Sequence, residues 1–124
     1  MQMKWSKLID FNEQSLQRGY LLKFKSHYPF EDEVIMMVCE GGCCQKGLIT
    51  ISGYKAGINM YVLFPEDANP DGGISTKWLI TNWTKWVWPE SKLEDIFVRP
   101  QLNYNEIYIS FPKINIIHLI RNVL

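Results

Sequence analysis

Ile74-Ser-Thr-Lys-Trp-Leu-Ile-Thr-Asn-Trp-Thr-Lys-Trp-Val-Trp-Pro89 is the stretch whose reading decides the fold. Ser75 suits an N-cap, because its hydroxyl can accept a hydrogen bond from a backbone N–H that the first helical turn leaves unpaired. Ile74 just before it and Leu79 just after are spaced for a hydrophobic staple. Pro89 has no N–H with which to continue a helix, so the segment reads as a helix over 76–88. At about 100° per residue, Leu79, Trp83, Trp86 and Val87 fall on one side, with Ile80 at its edge. That apolar stripe needs a sheet to cover. Trp78 and Trp88 lie off the stripe: Trp78 groups with Asn82 and Lys85, and Trp88 with Lys77, Thr81 and Thr84.

The sheet is sought upstream. Residues 20–25, Tyr-Leu-Leu-Lys-Phe-Lys, read as a strand closed by the Tyr28-Pro29 step, and Glu31, Asp32 and Glu33 then fall in an acidic turn. Val34 to Cys39 shows no polar alternation, which predicts a central strand covered on both faces. Leu48 to Ser52 and Ile58 to Phe64 flank Gly53-Tyr-Lys-Ala-Gly57, whose two glycines can adopt positive φ, so this is a hairpin. In its second arm Ile58, Met60, Val62 and Phe64 share one face, predicted to point into the core. Asn69-Pro-Asp-Gly-Gly73 is rich in turn formers and leads into the tryptophan helix.

The ends of the chain read less sharply. Asp10 and Glu13 have the spacing of a capping box and Gly19 that of a stop, predicting a short helix over 11–18. Ile96 to Val98 and Glu106 to Phe111 read as late peripheral strands. From Ile116 to Leu124 the apolar residues occupy one side of a helical wheel, which predicts a C-terminal helix, with a strand as the alternative. The expected architecture is one α+β domain over residues 1–124, with an antiparallel or mixed sheet of about five strands, the tryptophan-rich helix packed on one face and a C-terminal helix.

Charge and composition narrow the function. Thirteen basic and thirteen acidic side chains cancel, so no global field draws the chain onto nucleic acid or an anionic membrane. Met1 to Asp10 has no apolar run of the signal-peptide kind, and Val34 to Cys39 is too short to span a bilayer, so a cytoplasmic location is expected. The glycine-rich phosphate loops of nucleotide sites are absent, and no cofactor is expected.

Cys39, Cys43 and Cys44 are an odd number within six residues, which fits reduced thiols better than a disulfide framework, and two adjacent cysteines without a nearby histidine do not make a zinc site. A thiol enzyme would have to pair Cys43 or Cys44 with His27 or His118, and no catalytic motif surrounds either cysteine. The bland reading makes Cys39 core filler and the other two loop residues. Adjacent acids in a turn are usually a solvated face, although they can also meet a basic partner.

Five tryptophans, four of them between residues 78 and 88, carry the functional signal. Trp83 and Trp86 belong to the core stripe. Trp78 and Trp88 either fold over neighbouring loops or anchor a partner, since tryptophan is enriched among residues that dominate binding energy.

Gly53-Tyr-Lys-Ala-Gly57, the segment from Ile74 to Pro89 and Tyr28-Pro-Phe-Glu-Asp32 together resemble the immunity protein 45 family, over roughly residues 18 to 98. The resemblance implies an α+β protein encoded beside a polymorphic toxin, such as those of contact-dependent growth inhibition, whose cognate toxin C-terminal domain it binds and blocks. It carries over no catalytic residue. The expected partner surface comprises Trp78, Asn82, Lys85 and Trp88, with Glu31, Asp32, Glu33 and Glu40 as carboxylates suited to the basic cleft of a nuclease toxin. The competing readings are a small cysteine-dependent hydrolase or transferase and a general peptide-binding adaptor.

Overall fold

The computed structural model describes residues 4–102. Helix α1 runs from Thr76 to Trp86, and the Ser75 hydroxyl accepts from the Trp78 N–H at 3.2 Å, as an N-cap should. Ile74 and Leu79, the two staple positions, are both fully buried. The helix stops two residues short of the expected end. The N–H groups of Val87 and Trp88 both donate to the Trp83 carbonyl, at 2.7 and 3.2 Å, and the pyrrolidine ring of Pro89 disfavours helical geometry at Trp88.

Among the described residues, a six-stranded antiparallel sheet lies beneath the helix. Its strands are β1 (Ser6–Lys7), β3 (Leu21–Lys25), β4 (Glu33–Glu40), β5 (Lys46–Thr50), β6 (Met60–Leu63) and β8 (Phe97–Arg99), in the spatial order β1-β8-β3-β4-β5-β6. A separate two-stranded ladder joins β2 (Ser15–Leu16) to β7 (Ile74–Ser75) at the helix entrance. The sheet exceeds the expected five strands because Ser6–Lys7 adds an edge to β8. That addition makes β8 an interior strand between β1 and β3, and Val98 is accordingly fully buried.

Glu33 is the first residue of β4, paired with Lys25, and so belongs to a strand and not to the preceding turn. β4 does sit in the middle of the sheet, yet its two faces differ. Val34, Met36 and Val38 are buried under α1, whereas Ile35, Met37 and Cys39 on the other face are half-buried. At the β1 side of that second face the Lys23 ammonium sits 4.4 Å from the Trp5 ring centroid and 5.6 Å from that of Phe97. Among the described residues the core is therefore a layer between sheet and helix, built on Leu22, Phe24, Met36, Leu48, Leu79 and Trp83.

Residues 11–18 are not helical. Thr76 holds this segment extended with two bonds, its N–H to the Gln14 carbonyl (2.9 Å) and its hydroxyl to the Glu13 carbonyl (2.8 Å). The Glu13 carboxylate, which a capping box would turn back toward Asp10, accepts instead from the Tyr20 hydroxyl at 2.6 Å. That bond, together with burial, pushes the Tyr20 hydroxyl up to about 12. A local capping signal gives way here to pairing with the helix entrance. The expected strand over Glu106–Phe111 and the C-terminal helix lie outside the described residues.

β6 departs from its expected facing. Its pairing with β5 runs Leu48↔Val62 and then Ile49↔Met60, so Tyr61 is an extra residue in a β-bulge. A one-residue shift exchanges the faces of a strand. Phe64 is fully buried and Val62 half-buried, as expected, but Met60 is 37% exposed and Ile58, which precedes the strand, is 58% exposed. Gly47 makes room for this arrangement: a side chain there would overlap the Val62 carbonyl oxygen and the Met60 sulfur.

Candidate protein-binding surface

The four tryptophans of the helical segment take three different positions. Trp83 is fully buried, donates its indole N–H to the Ser91 hydroxyl at 2.8 Å and meets Phe24 edge-on with ring centroids 5.0 Å apart. Trp86, expected in the core, is half-buried and packs on Phe64 (6.4 Å) and Trp78 (5.8 Å). Trp78 is half-buried in the same cluster, 5.6 Å from Phe64. Trp88 is half-buried against Phe30 (5.8 Å) and His27 (5.1 Å). Phe30 in turn meets Tyr61 at 5.7 Å. Trp78 and Trp86 around Phe64, and Tyr61 and Trp88 around Phe30, thus form two half-buried aromatic clusters, together the aromatic belt, each of these rings with one side packed on the core and, Phe64 apart, part of the ring in water.

Asn82 donates its side-chain amide to the Trp78 carbonyl at 2.9 Å, and Lys85 is exposed one turn further along the helix. Trp88 is brought beside the acidic loop through Phe30. In that loop the Glu31 carboxylate accepts from the Tyr54 N–H at 2.9 Å, and the Tyr54 hydroxyl donates to the Pro29 carbonyl, so the loop and the hairpin tip hold each other. Gly53, with φ +71°, is required at that junction, because a Cβ would collide with the Glu31 carboxylate. Asp32 and Glu33 are exposed beside it.

Glu40 stands apart from this group. It lies seven residues along β4 from Glu33, about 23 Å at the rise of an extended strand. Its carboxylate takes Lys46 at 2.8 Å and Arg18 at 3.5 Å. The Lys46 ammonium, first by hydrogen bond and then by charge, holds the Glu40 carboxyl below the ordinary carboxylate range.

Among the described residues, six of the eight large exposed apolar side chains gather elsewhere, Ile9 and Leu102 being the exceptions. Tyr28, Ile51, Tyr54, Ile58, Met60 and Leu63 are all 37% exposed or more, and all belong to the β5–β6 hairpin or the loop fastened to its tip. Sequence reading missed this patch because it assumed an unbroken alternation through β6. The available signal was Met60-Tyr-Val-Leu-Phe64 itself, five apolar residues without a polar break.

A cysteine–histidine pair is not assembled with His27. That imidazole lies beyond the Lys25 end of β3, 2.9 Å from the Glu90 carboxylate, whereas Cys39 and Cys44 lie at the far end of β4. Burial pushes the Cys39 thiol up, the opposite of activation. His118 lies outside the described residues. Among the described residues no group of three or more His, Cys, Asp or Glu converges as metal ligands would. A cleft of about 600 Å³ opens between residues 11–15, the Pro70–Gly73 turn and the start of α1. Its Glu13 and Thr76 side chains are already engaged in the hydrogen bonds given above.

The sequence model described as Immunity protein 45 matches residues 8–98. The chain belongs to the immunity protein 45 family. The match starts at Leu8, ten residues before the span over which the resemblance was read, and so takes in β2 and the ladder it forms with β7. No curated protein and no solved structure matches the chain. Membership in the immunity protein 45 family gives the chain an immunity-protein role, and that role implies a toxin as the partner to be bound. Among the described residues no helix is long and apolar enough to cross a membrane.

Proposed function

We propose that the chain neutralises a cognate toxin stoichiometrically, by binding its C-terminal domain in the cytoplasm, as one half of a contact-dependent growth inhibition pair. The observation that carries this reading is the family match over residues 8–98. The aromatic belt supports it, since half-buried tryptophans are preorganised by the core on one side and available to a partner on the other. In this reading Trp78 and Trp88 are anchors, Asn82 and Lys85 form the polar rim of the first, and Glu31, Asp32 and Glu33 face a basic region of the toxin, as the active cleft of a nuclease would be. Glu40 contributes from the opposite end of β4, held by Lys46 and Arg18.

The test is growth of cells producing the toxin domain encoded beside this chain. Co-production of the chain should restore growth against that toxin and leave cells sensitive to a toxin of another system. Protection that fails against the neighbouring toxin overturns the proposal. Charge reversal at Asp32 and Glu33 should slow association and flatten its salt dependence, and an unchanged rate removes these carboxylates from the interface.

A further inference from the structure

The two edges of the main sheet are built differently. At one edge β1 is two residues long and consists of Ser6 and Lys7, a short charged strand of the kind that discourages further pairing. At the other, β6 runs Met60-Tyr-Val-Leu63 with no charge, no proline and, among the described residues, no strand on its outer side. The Phe64 N–H donates inward to the Lys46 carbonyl at 2.9 Å, so by strand alternation the Leu63 N–H points away from the sheet. Ile58 (58% exposed), Met60 (37%) and Leu63 (43%) flank that edge.

We infer that β6 is a docking edge to which the toxin adds an extended segment as a seventh strand. This rests on the proposed toxin-inhibitor function and specifies how the partner is held. Main-chain bonds to the β6 edge would supply affinity, and side chains alternating over Ile58, Met60 and Leu63 would supply specificity.

Charge decides between a toxin strand and a second copy of this chain. Glu31, Asp32 and Glu33 stand near the hairpin end of β6, and Glu66 and Asp67 follow its other end; the nearby cations are fewer, Lys55 at the hairpin tip, Lys25 paired across the strands with Glu33, and Lys46, which is engaged by Glu40. In a chain whose charges cancel overall this is a local acidic frame. Two copies paired through β6, parallel or antiparallel, would set acid against acid at both ends. A segment with apolar residues in its middle and Lys or Arg at its ends fits both the edge and the frame.

The experiment uses the full chain and the toxin C-terminal domain encoded beside it. Leu63→Pro removes one outward N–H and no ladder bond, and should weaken binding by about thirtyfold or more while the fold is kept. Met60→Lys and Leu63→Lys, which keep the backbone donor, should weaken it through the side chains alone. In the wild-type complex, hydrogen exchange at the Leu63 amide should slow by about tenfold or more, a readout independent of any variant's folding. If the wild type binds the toxin while these variants bind equally well and Leu63 exchange is unchanged, the docking edge is wrong and the inhibitor function stands. Concentration-dependent dimers of the wild type, abolished by Leu63→Lys with toxin binding intact, would assign the edge to a second copy and overturn the inference. A wild type that does not bind the toxin overturns both.

Discussion

The Tyr61 hydroxyl donates to the Val87 carbonyl oxygen at 2.6 Å, tying the bulged residue of β6 to the C-terminal end of α1. Carbonyls at a helix end have no partner within the helix, so this bond satisfies one of them and fixes the helix against β6. Burial pushes the Tyr61 hydroxyl above its ordinary value, in keeping with a donor held in its neutral form.

Tyr61→Phe keeps the ring contact with Phe30 and removes only the donor. It should cost about 1–2 kcal/mol, because the Val87 carbonyl is left without its partner. The expected readout is a thermal midpoint lower by several degrees. An unchanged midpoint would mean that water replaces the hydroxyl without penalty and that the bulge is not what anchors the helix.

Trp83→Ala should cost about 3–5 kcal/mol, since it empties a fully buried site, removes the edge-on contact with Phe24 and deletes the Ser91 bond. Any loss of protection in that variant would follow from unfolding. Trp78→Ala removes a half-buried ring and should lower the midpoint less, while weakening toxin binding by about thirtyfold, or about 2 kcal/mol. Affinity measured well below both midpoints separates the two. Equal melting losses with unchanged affinity for Trp78→Ala would make that indole structural.

Glu40 gives a dependence on pH. Its carboxyl titrates below the ordinary value in the folded chain, so its contribution is present above the unfolded pKa of about 4.3 and is lost as pH falls through the lower folded value. Glu40→Gln should therefore melt below the wild type at neutral pH, where it leaves the buried Lys46 ammonium without its carboxylate, and the gap should close as pH drops below about 4. A gap that stays constant across the acid range would show that the pair is not coupled to folding.

How much of this was legible in the sequence depended on whether the deciding chemistry was local. Ser75 and Pro89 bracket α1 with chemistry that acts within a few residues, and the helix was placed to within two residues of its end. β3 and β4 were legible from their apolar runs, because each meets the core through consecutive pairing. The bulge at Tyr61 was not, since it depends on Gly47 of the neighbouring strand giving up space to Met60. The N-terminal segment misled for the same reason: the capping signal of Asp10 and Glu13 is overridden by Thr76, more than sixty residues away. For the candidate surface, the helical wheel singled out Trp78 and Trp88, and the fold places both on the aromatic belt. The exposed apolar patch around Ile58, Met60 and Leu63 was missed, because a strand read without its bulge points two of those three side chains inward.

The measurement that bears most directly on the central claim is a titration of the toxin domain's activity with the purified chain. An inhibitor that works by occupancy should remove activity in proportion to the amount added and abolish it at one chain per toxin. Complete loss at a small fraction of one equivalent would mean that each chain acts on many toxin molecules, as an enzyme does, and activity persisting beyond equivalence would mean that the chain does not block the toxin at all; either result contradicts stoichiometric neutralisation.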